Sequence, residues 1–181
     1  MNFKTLLLML IGCVLSSNYT LVRFFNAEAL IYNSRRALRR NVKFTAYLCL
    51  VLILSILIMW PVELYFISQS SGFLRVLIYE AIILIVVNVL GAIFRKDADD
   101  IYNTALSSGV LGTALVFEEQ KMTFLQTLFG AVGVSLGFLL VTIALAAVNE
   151  KIRDKHVAPH FQGFPIMLVS IAIISLTVYA F

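Results

Sequence analysis

Long uncharged apolar runs constrain this chain more than any other feature. A helix crossing a bilayer needs about 20 mostly apolar residues, because in hydrocarbon each backbone N–H and C=O must be paired within the segment. Six stretches meet or approach that length: residues 5–22, 44–60, 76–94, 101–117, 123–148 and 163–181. The chain is 61% hydrophobic and 13% charged, with a mean hydropathy of +0.95. A soluble domain of this size buries only about 70% of its chain surface and could not hide so much apolar side chain. The expected fold is an all-α polytopic membrane protein of six transmembrane helices, one membrane domain over residues 1–181.

Charge then sets orientation. Short cytoplasmic loops are enriched in Lys and Arg. Arg35, Arg36, Arg39, Arg40 and Lys43 fall in the first loop, Arg95 and Lys96 in the third, and Lys151, Arg153 and Lys155 in the fifth. The N-terminus and the even loops offer only Lys4, Arg75 and Lys121. Odd loops are therefore expected in the cytoplasm and both termini outside. This clustering accounts for the basic balance without nucleic acid, and the same loop could hold anionic lipid headgroups.

Polar residues interrupt the first and fourth runs, as Leu15-Ser16-Ser17-Asn18 and Leu106-Ser107-Ser108-Gly109. Interrupted hydrophobic segments at corresponding places in two halves are what two inverted three-helix repeats produce. The first repeat is expected over about residues 1–96 and the second over about 97–181, with polar residues capping the half-helices at each break. Residues 133–137 and 108–112 space small residues four apart and read as helix-packing seams.

Few residues carry chemistry. Glu80 lies within an apolar run, with Asn88 two turns on. It could serve a proton or cation relay, but proximity favours a pairing with Arg75 near the interface. Glu63, just after Trp60-Pro61, reads as interfacial. His156 and His160 flank Pro159, which disfavours a helical metal site. Cys13 and Cys49 cannot build a disulfide framework or a four-ligand zinc site. Leu10-Ile11-Gly12-Cys13 imitates a lipobox, although a first membrane helix is the reading we favour. Phosphate-binding glycine loops, His-Glu-x-x-His and a nucleophile elbow are all missing from the sequence, so self-contained hydrolytic chemistry lacks its usual parts.

Several segments together resemble a family. Asn18-Tyr19-Thr20-Leu21-Val22-Arg23-Phe24-Phe25, Ser34-Arg35-Arg36, Gly137-Phe138-Leu139-Leu140, Ala144-Leu145-Ala146-Ala147, Glu150-Lys151 and Val157-Ala158-Pro159 with Gly163 resemble the six-helix Rnf/Nqr membrane subunits. The resemblance extends over nearly the whole chain and is closest to the A-type branch of Rnf complexes and the E-type branch of Nqr complexes. It implies broken first and fourth helices, a sister membrane subunit, a place in the bacterial cytoplasmic (inner) membrane, and an iron–sulfur cluster shared through one cysteine on each broken helix. Glu28 and Ser108 stand at those two cysteine positions. The stretch from Tyr102 to Ser108 is also shorter than in the family, and Asn149, Ala158 and Gln162 replace its usual Arg, Pro and Arg.

Such clusters need thiolates, so no iron–sulfur cofactor is expected through Glu28 and Ser108. The expected function is a membrane subunit of an Rnf/Nqr-like, electron-transport-coupled, ion-translocating complex, with Glu28, Glu80 and Asn88 as candidates for an ion or proton path. The alternative is a small membrane transporter or assembly protein that keeps the fold without redox work. The expected partners are the sister subunit, other complex subunits and the lipid bilayer.

Overall fold

The computed structural model describes residues 3–14, 18–23, 38–66, 72–105, 107–153 and 164–179. Among these, every regular element is helical. The elements are α1 (Phe3–Val14), α2 (Tyr19–Arg23), α3 (Leu38–Phe66), α4 (Gly72–Ile93), a 3-10 turn (Arg95–Asp97), α5 (Ala98–Ala105), α6 (Ser108–Glu119), α7 (Phe124–Arg153) and α8 (Phe164–Tyr179). Three of them are long and apolar enough to cross a membrane, over Arg40–Tyr65, Leu74–Ile93 and Phe124–Ile152. A shorter apolar helix covers Phe164–Val178.

Helix α7 is the axis of the bundle and packs most extensively against α3 and α1, with α2 and α8 on its remaining sides. Glycine makes the α1 contact possible. A Cβ placed on Gly133 would lie 2.9 Å from Cys13 Cβ, and one on Gly137 would lie 2.9 Å from Asn18 Nδ2. The expected small-residue seam on α7 is thus real, and close backbone approach is what such residues allow where lipid supplies no hydrophobic drive. Gly130 meets Met9, Gly133 meets Leu10 and Cys13, and Gly137 meets Asn18, so α1 and α7 run parallel. Helix α3 runs antiparallel to α7, since Thr45 meets Thr142 while Cys49 meets Ser135. Phe44, Leu48, Leu52 and Phe138 fill the seam between them and are almost fully buried.

The lipobox-like cysteine sits inside this packing. Cys13 lies within α1, buried against α7 rather than at a free end. On its outward face α4 exposes Ile85, Val89 and Ile93 by more than half, an apolar band that suits acyl chains and not water.

The two expected interruptions are described to different extents. At the second, α5 stops at Ala105 and α6 starts at Ser108. Ser107 is the N-cap of α6: its backbone is extended (φ −84°, ψ 127°) and its hydroxyl accepts the Gly109 N–H at 3.2 Å. At the first, Ser16 and Ser17 lie outside the described residues, but Asn18 is placed. Its side chain donates to the Val14 carbonyl at 3.1 Å, and its own carbonyl accepts from Val22 at 2.8 Å. One residue thereby serves the last turn of α1 and the first of α2.

Two boundaries differ from expectation. Arg39, Arg40 and Lys43, expected in a loop, belong to the first turns of α3. Pro61, expected to end that helix, lies inside it. Pro61 has no N–H, so it removes the one backbone hydrogen bond to the Leu57 carbonyl while the helix continues to Phe66.

Many hydroxyls within the apolar helices are satisfied locally, whereas the buried Ser55 and Ser135 hydroxyls have no partner among the described residues. Thr45, Thr113, Thr127, Thr142 and Ser170 each donate to the carbonyl four residues earlier. The Thr45 and Thr142 hydroxyl oxygens also lie 2.9 Å apart, so one of the two can turn its proton from its own helix carbonyl to the other and join α3 to α7 by a hydrogen bond.

Candidate functional site

Of the residues singled out from the sequence, Glu80, Asn88 and Ser108 are described. Glu28 lies outside the described residues, as do His156 and His160. Ser108 opens α6 with its side chain exposed. Asn88 is exposed on α4 and donates to the Leu84 carbonyl at 2.7 Å. Glu80 is half-buried on the same helix, but Arg75 does not pair with it. Residues five apart on a helix point about 140° away from one another, so the expected Arg75–Glu80 pair is not a helical neighbour pair.

Arg75 instead joins three helices. From the first turn of α4 its Nη2 meets Glu63 Oε1 of α3 at 2.9 Å, and its Nη1 meets Glu118 Oε1 of α6 at 3.0 Å. Tyr79, one turn along α4, donates its hydroxyl to Glu63 Oε2 at 2.8 Å. Each of the three charged side chains is only about a fifth to a quarter exposed, so this cluster is shielded from water far more than an ordinary surface pair. The Arg75 Nε–H is buried and has no acceptor among the described residues. Beside the cluster opens a cavity of about 700 Å³, mostly apolar, walled by Ile56, Met59, Trp60, Ala114, Phe117 and Met122.

Local structure holds that cavity open. Lys121 takes a left-handed conformation (φ 47°), and its N–H reaches the Glu118 carbonyl at 2.8 Å, which ends α6 in a tight turn. Thr123 then starts α7, its N–H donating to the Gln126 side chain at 2.9 Å. Trp60 packs edge-on against Phe124 with ring centroids 5.1 Å apart.

A second ionic cluster sits at the other end of α3. Lys43 Nζ meets both Asp97 oxygens at 2.7 Å, and the Tyr47 hydroxyl donates to Asp97 Oδ2 at 2.7 Å. Arg40 Nε lies 3.9 Å from Asp100 Oδ2. Donation from Lys43, then from Tyr47, holds the Asp97 carboxyl below its usual range. Lys43 and Arg40 are more than half exposed, so this end is wet. Lys43 and Glu63 are twenty residues apart on α3, about 30 Å along its axis, which is the thickness of a bilayer's hydrocarbon core. The two clusters therefore sit where the two faces of a membrane would be.

An iron–sulfur cluster does not fit the described donors. Ser108 offers a hydroxyl, a weaker and harder ligand than thiolate. The two thiols do not substitute. Cys13 packs at Gly133 and Cys49 donates to the Ser135 carbonyl at 3.3 Å, positions about 160° apart around α7. Among the described residues no group of three His, Cys, Asp or Glu side chains is gathered as a metal site.

A smaller cavity of about 330 Å³ lies at the junction of α1 and α2, lined by Gly12, Cys13, Tyr19, Arg23, Gln120 and Met122. The charged cluster at Arg75 is beyond sequence reading because its members are distant in the chain. Their only sequence signal is that each lies close to the end of an apolar run, the feature that makes Glu63 read as interfacial.

Comparison with known proteins agrees with this architecture. The family described as "Rnf-Nqr subunit, membrane protein" matches residues 6–181. The A-type subunit of the Na(+)-translocating ferredoxin:NAD(+) oxidoreductase complex of Acetobacterium woodii is 24% identical over 186 residues, covering 98% of this chain and 96% of that protein. The A-type subunit of an ion-translocating oxidoreductase complex of Syntrophotalea carbinolica is 28% identical over 193 residues, with the same coverage of each. Its counterpart in the proton-translocating ferredoxin:NAD(+) oxidoreductase complex of Clostridium ljungdahlii is 24% identical over 184 residues, covering 97% and 95%. With the family matched from the first helix to the last residue, on a bundle of apolar helices, the chain belongs to the Rnf-Nqr family of membrane subunits.

Proposed function

We propose that this chain is an A-type membrane subunit in an ion-translocating oxidoreductase complex that couples electron transfer to ion movement across the bacterial cytoplasmic membrane. The observation that carries this reading is end-to-end similarity to relatives that bear that one designation and have nearly the same length. The protein works as a membrane scaffold beside a sister subunit of the same family. Six spans in two inverted repeats are the arrangement we adopt, with both termini outside. The parallel course of α1 and α7 supports it, because both would be odd-numbered spans.

Electrons do not pass through a cluster held by Glu28 and Ser108. Those side chains cannot replace two thiolates, and the complex routes electrons around this pair or through other ligands. Glu28, Glu80 and Asn88 remain the polar groups proposed for the ion path, since an ionisable side chain in a membrane segment is costly unless it has work to do.

The test is affinity purification of the full chain from its native membranes in mild detergent. Flavin- or ferredoxin-type subunits and a second six-span subunit should accompany it in stoichiometric amounts. A chain that purifies alone, from cells that keep ferredoxin:NAD oxidoreductase activity after its deletion, would contradict the reading. Iron and acid-labile sulfide that disappear on Glu28→Ala or Ser108→Ala would contradict the cluster-free part alone.

A further inference from the structure

We propose that the cavity beside Arg75 is a binding site for a zwitterionic phospholipid of the ethanolamine type. Its volume, about 700 Å³, is within the range of specific ligand pockets, and its walls are mainly apolar. Because it lies between helices that face lipid, an acyl chain is the most abundant apolar occupant available to it. The charges decide the headgroup. One guanidinium serves two carboxylates, Glu63 and Glu118, so the cluster carries a surplus negative charge. A purely anionic headgroup would leave that surplus at Glu118 unpaired.

Lys121 supplies the opposite sign. It lines the same cavity, on the turn after α6, and makes no ion pair among the described residues. A purely cationic amphiphile would meet that ammonium. Only a headgroup carrying both charges satisfies both ends, with its ammonium toward Glu118 and its phosphate toward Lys121. The buried Arg75 Nε–H, which lacks an acceptor among the described residues, gains one from a phosphate or ester oxygen of the same lipid. Trp60 lines the cavity near the end of the apolar α3 run, and tryptophan is a residue type that borders headgroups at membrane interfaces.

The proposal is independent of the redox assignment and can fail without it. The experiment is native mass spectrometry of the full chain with its co-purifying subunits, delipidated and titrated with phosphatidylethanolamine or phosphatidylglycerol of equal chain length. Wild type should retain the ethanolamine lipid about tenfold over the glycerol lipid. Glu118→Gln should narrow that preference, and Lys121→Gln should weaken retention of both lipids. Ala114→Phe, which fills the cavity from α6, should remove the bound lipid.

Lys121 is exposed, so its variant keeps the test usable if Glu118→Gln or Ala114→Phe folds poorly. Equal retention of the two lipids, or a preference for the glycerol lipid, would overturn the proposal. So would binding that Lys121→Gln leaves unchanged. Lipid held by the isolated chain but absent from the assembled complex would overturn it too, since another protein of the complex would then fill the cavity.

Discussion

The two ends of α3 are held in place by ion pairs of different kinds. At the Arg75 end, three charged side chains only about a quarter exposed or less converge on one guanidinium and tie α3, α4 and α6 together. At the Lys43 end, half-exposed cations reach the 3-10 turn and α5 through Asp97 and Asp100. The acids at both ends are shielded, and the cations differ: Lys43 and Arg40 stand half in water, while Arg75 does not. Breaking a pair whose members are both shielded leaves a charge that solvent reaches poorly, whereas a half-exposed cation is already hydrated and contributes less when paired. The Arg75 cluster should therefore act as a structural lock, and the Lys43 cluster as a weaker tether.

The largest expected effect follows from that contrast. Arg75→Ala leaves Glu63 and Glu118 facing each other and should cost about 2 kcal/mol, a figure reduced from fully buried pairs because some water reaches the site. Lys43→Ala should cost much less. Thermal unfolding in detergent or nanodiscs compares the two, and equal losses would break the distinction. Neutralising all three members of the lock, with Glu63→Gln, Arg75→Gln and Glu118→Gln together, should recover part of the loss. No recovery would mean that the Arg75 side chain matters for packing and not for charge.

Between the two ends, the α3–α7 seam carries the Thr45–Thr142 hydrogen bond. Thr142→Val should cost only about 0.6 kcal/mol, the usual size of such bonds between membrane helices. A loss as large as that of Arg75→Ala would shift the account from the helix ends to its middle. Salt sharpens the comparison further. Raising ionic strength from about 0.1 to 1 M shortens the screening length from about 10 to 3 Å. Amide exchange should then rise around residues 95–100 and change little around residues 118–123.

The smallest effect concerns pH. Asp97 is held below its ordinary value of 3.8, so its contribution is present above that value and fades as pH falls through the lowered one. Acidification below about pH 4 should loosen the Lys43 end, and Asp97→Asn should abolish that pH dependence. An unchanged acid response in Asp97→Asn would assign the effect to another carboxyl.

Much of the fold was legible in the sequence for simple reasons. Apolar run length gave the long helices, because a bilayer imposes it. Ser107 marked a break because a serine before Ser108-Gly109 can cap a new helix while interrupting the old one. The start of α3 was less legible. Arg39, Arg40 and Lys43 look like loop residues until Asp97 and Asp100, more than fifty residues away, are known to receive Arg40 and Lys43. The Arg75 lock was illegible for the same reason. Proximity in sequence suggested Glu80, whereas the partners come from two other helices. Local spacing reports neighbours on one helix and says nothing of which helix ends meet.

The proposed topology puts the two ends of α3 at opposite membrane faces, with the Arg75 end outside. Lys96 beside the tether and Lys121 beside the lock are both exposed, and the native thiols Cys13 and Cys49 are buried. In intact cells carrying Cys13→Ala and Cys49→Ala, a membrane-impermeant thiol reagent should label Lys121→Cys at once and Lys96→Cys only after permeabilisation. Labelling of both from the same side, or of Lys96→Cys alone in intact cells, would contradict the account.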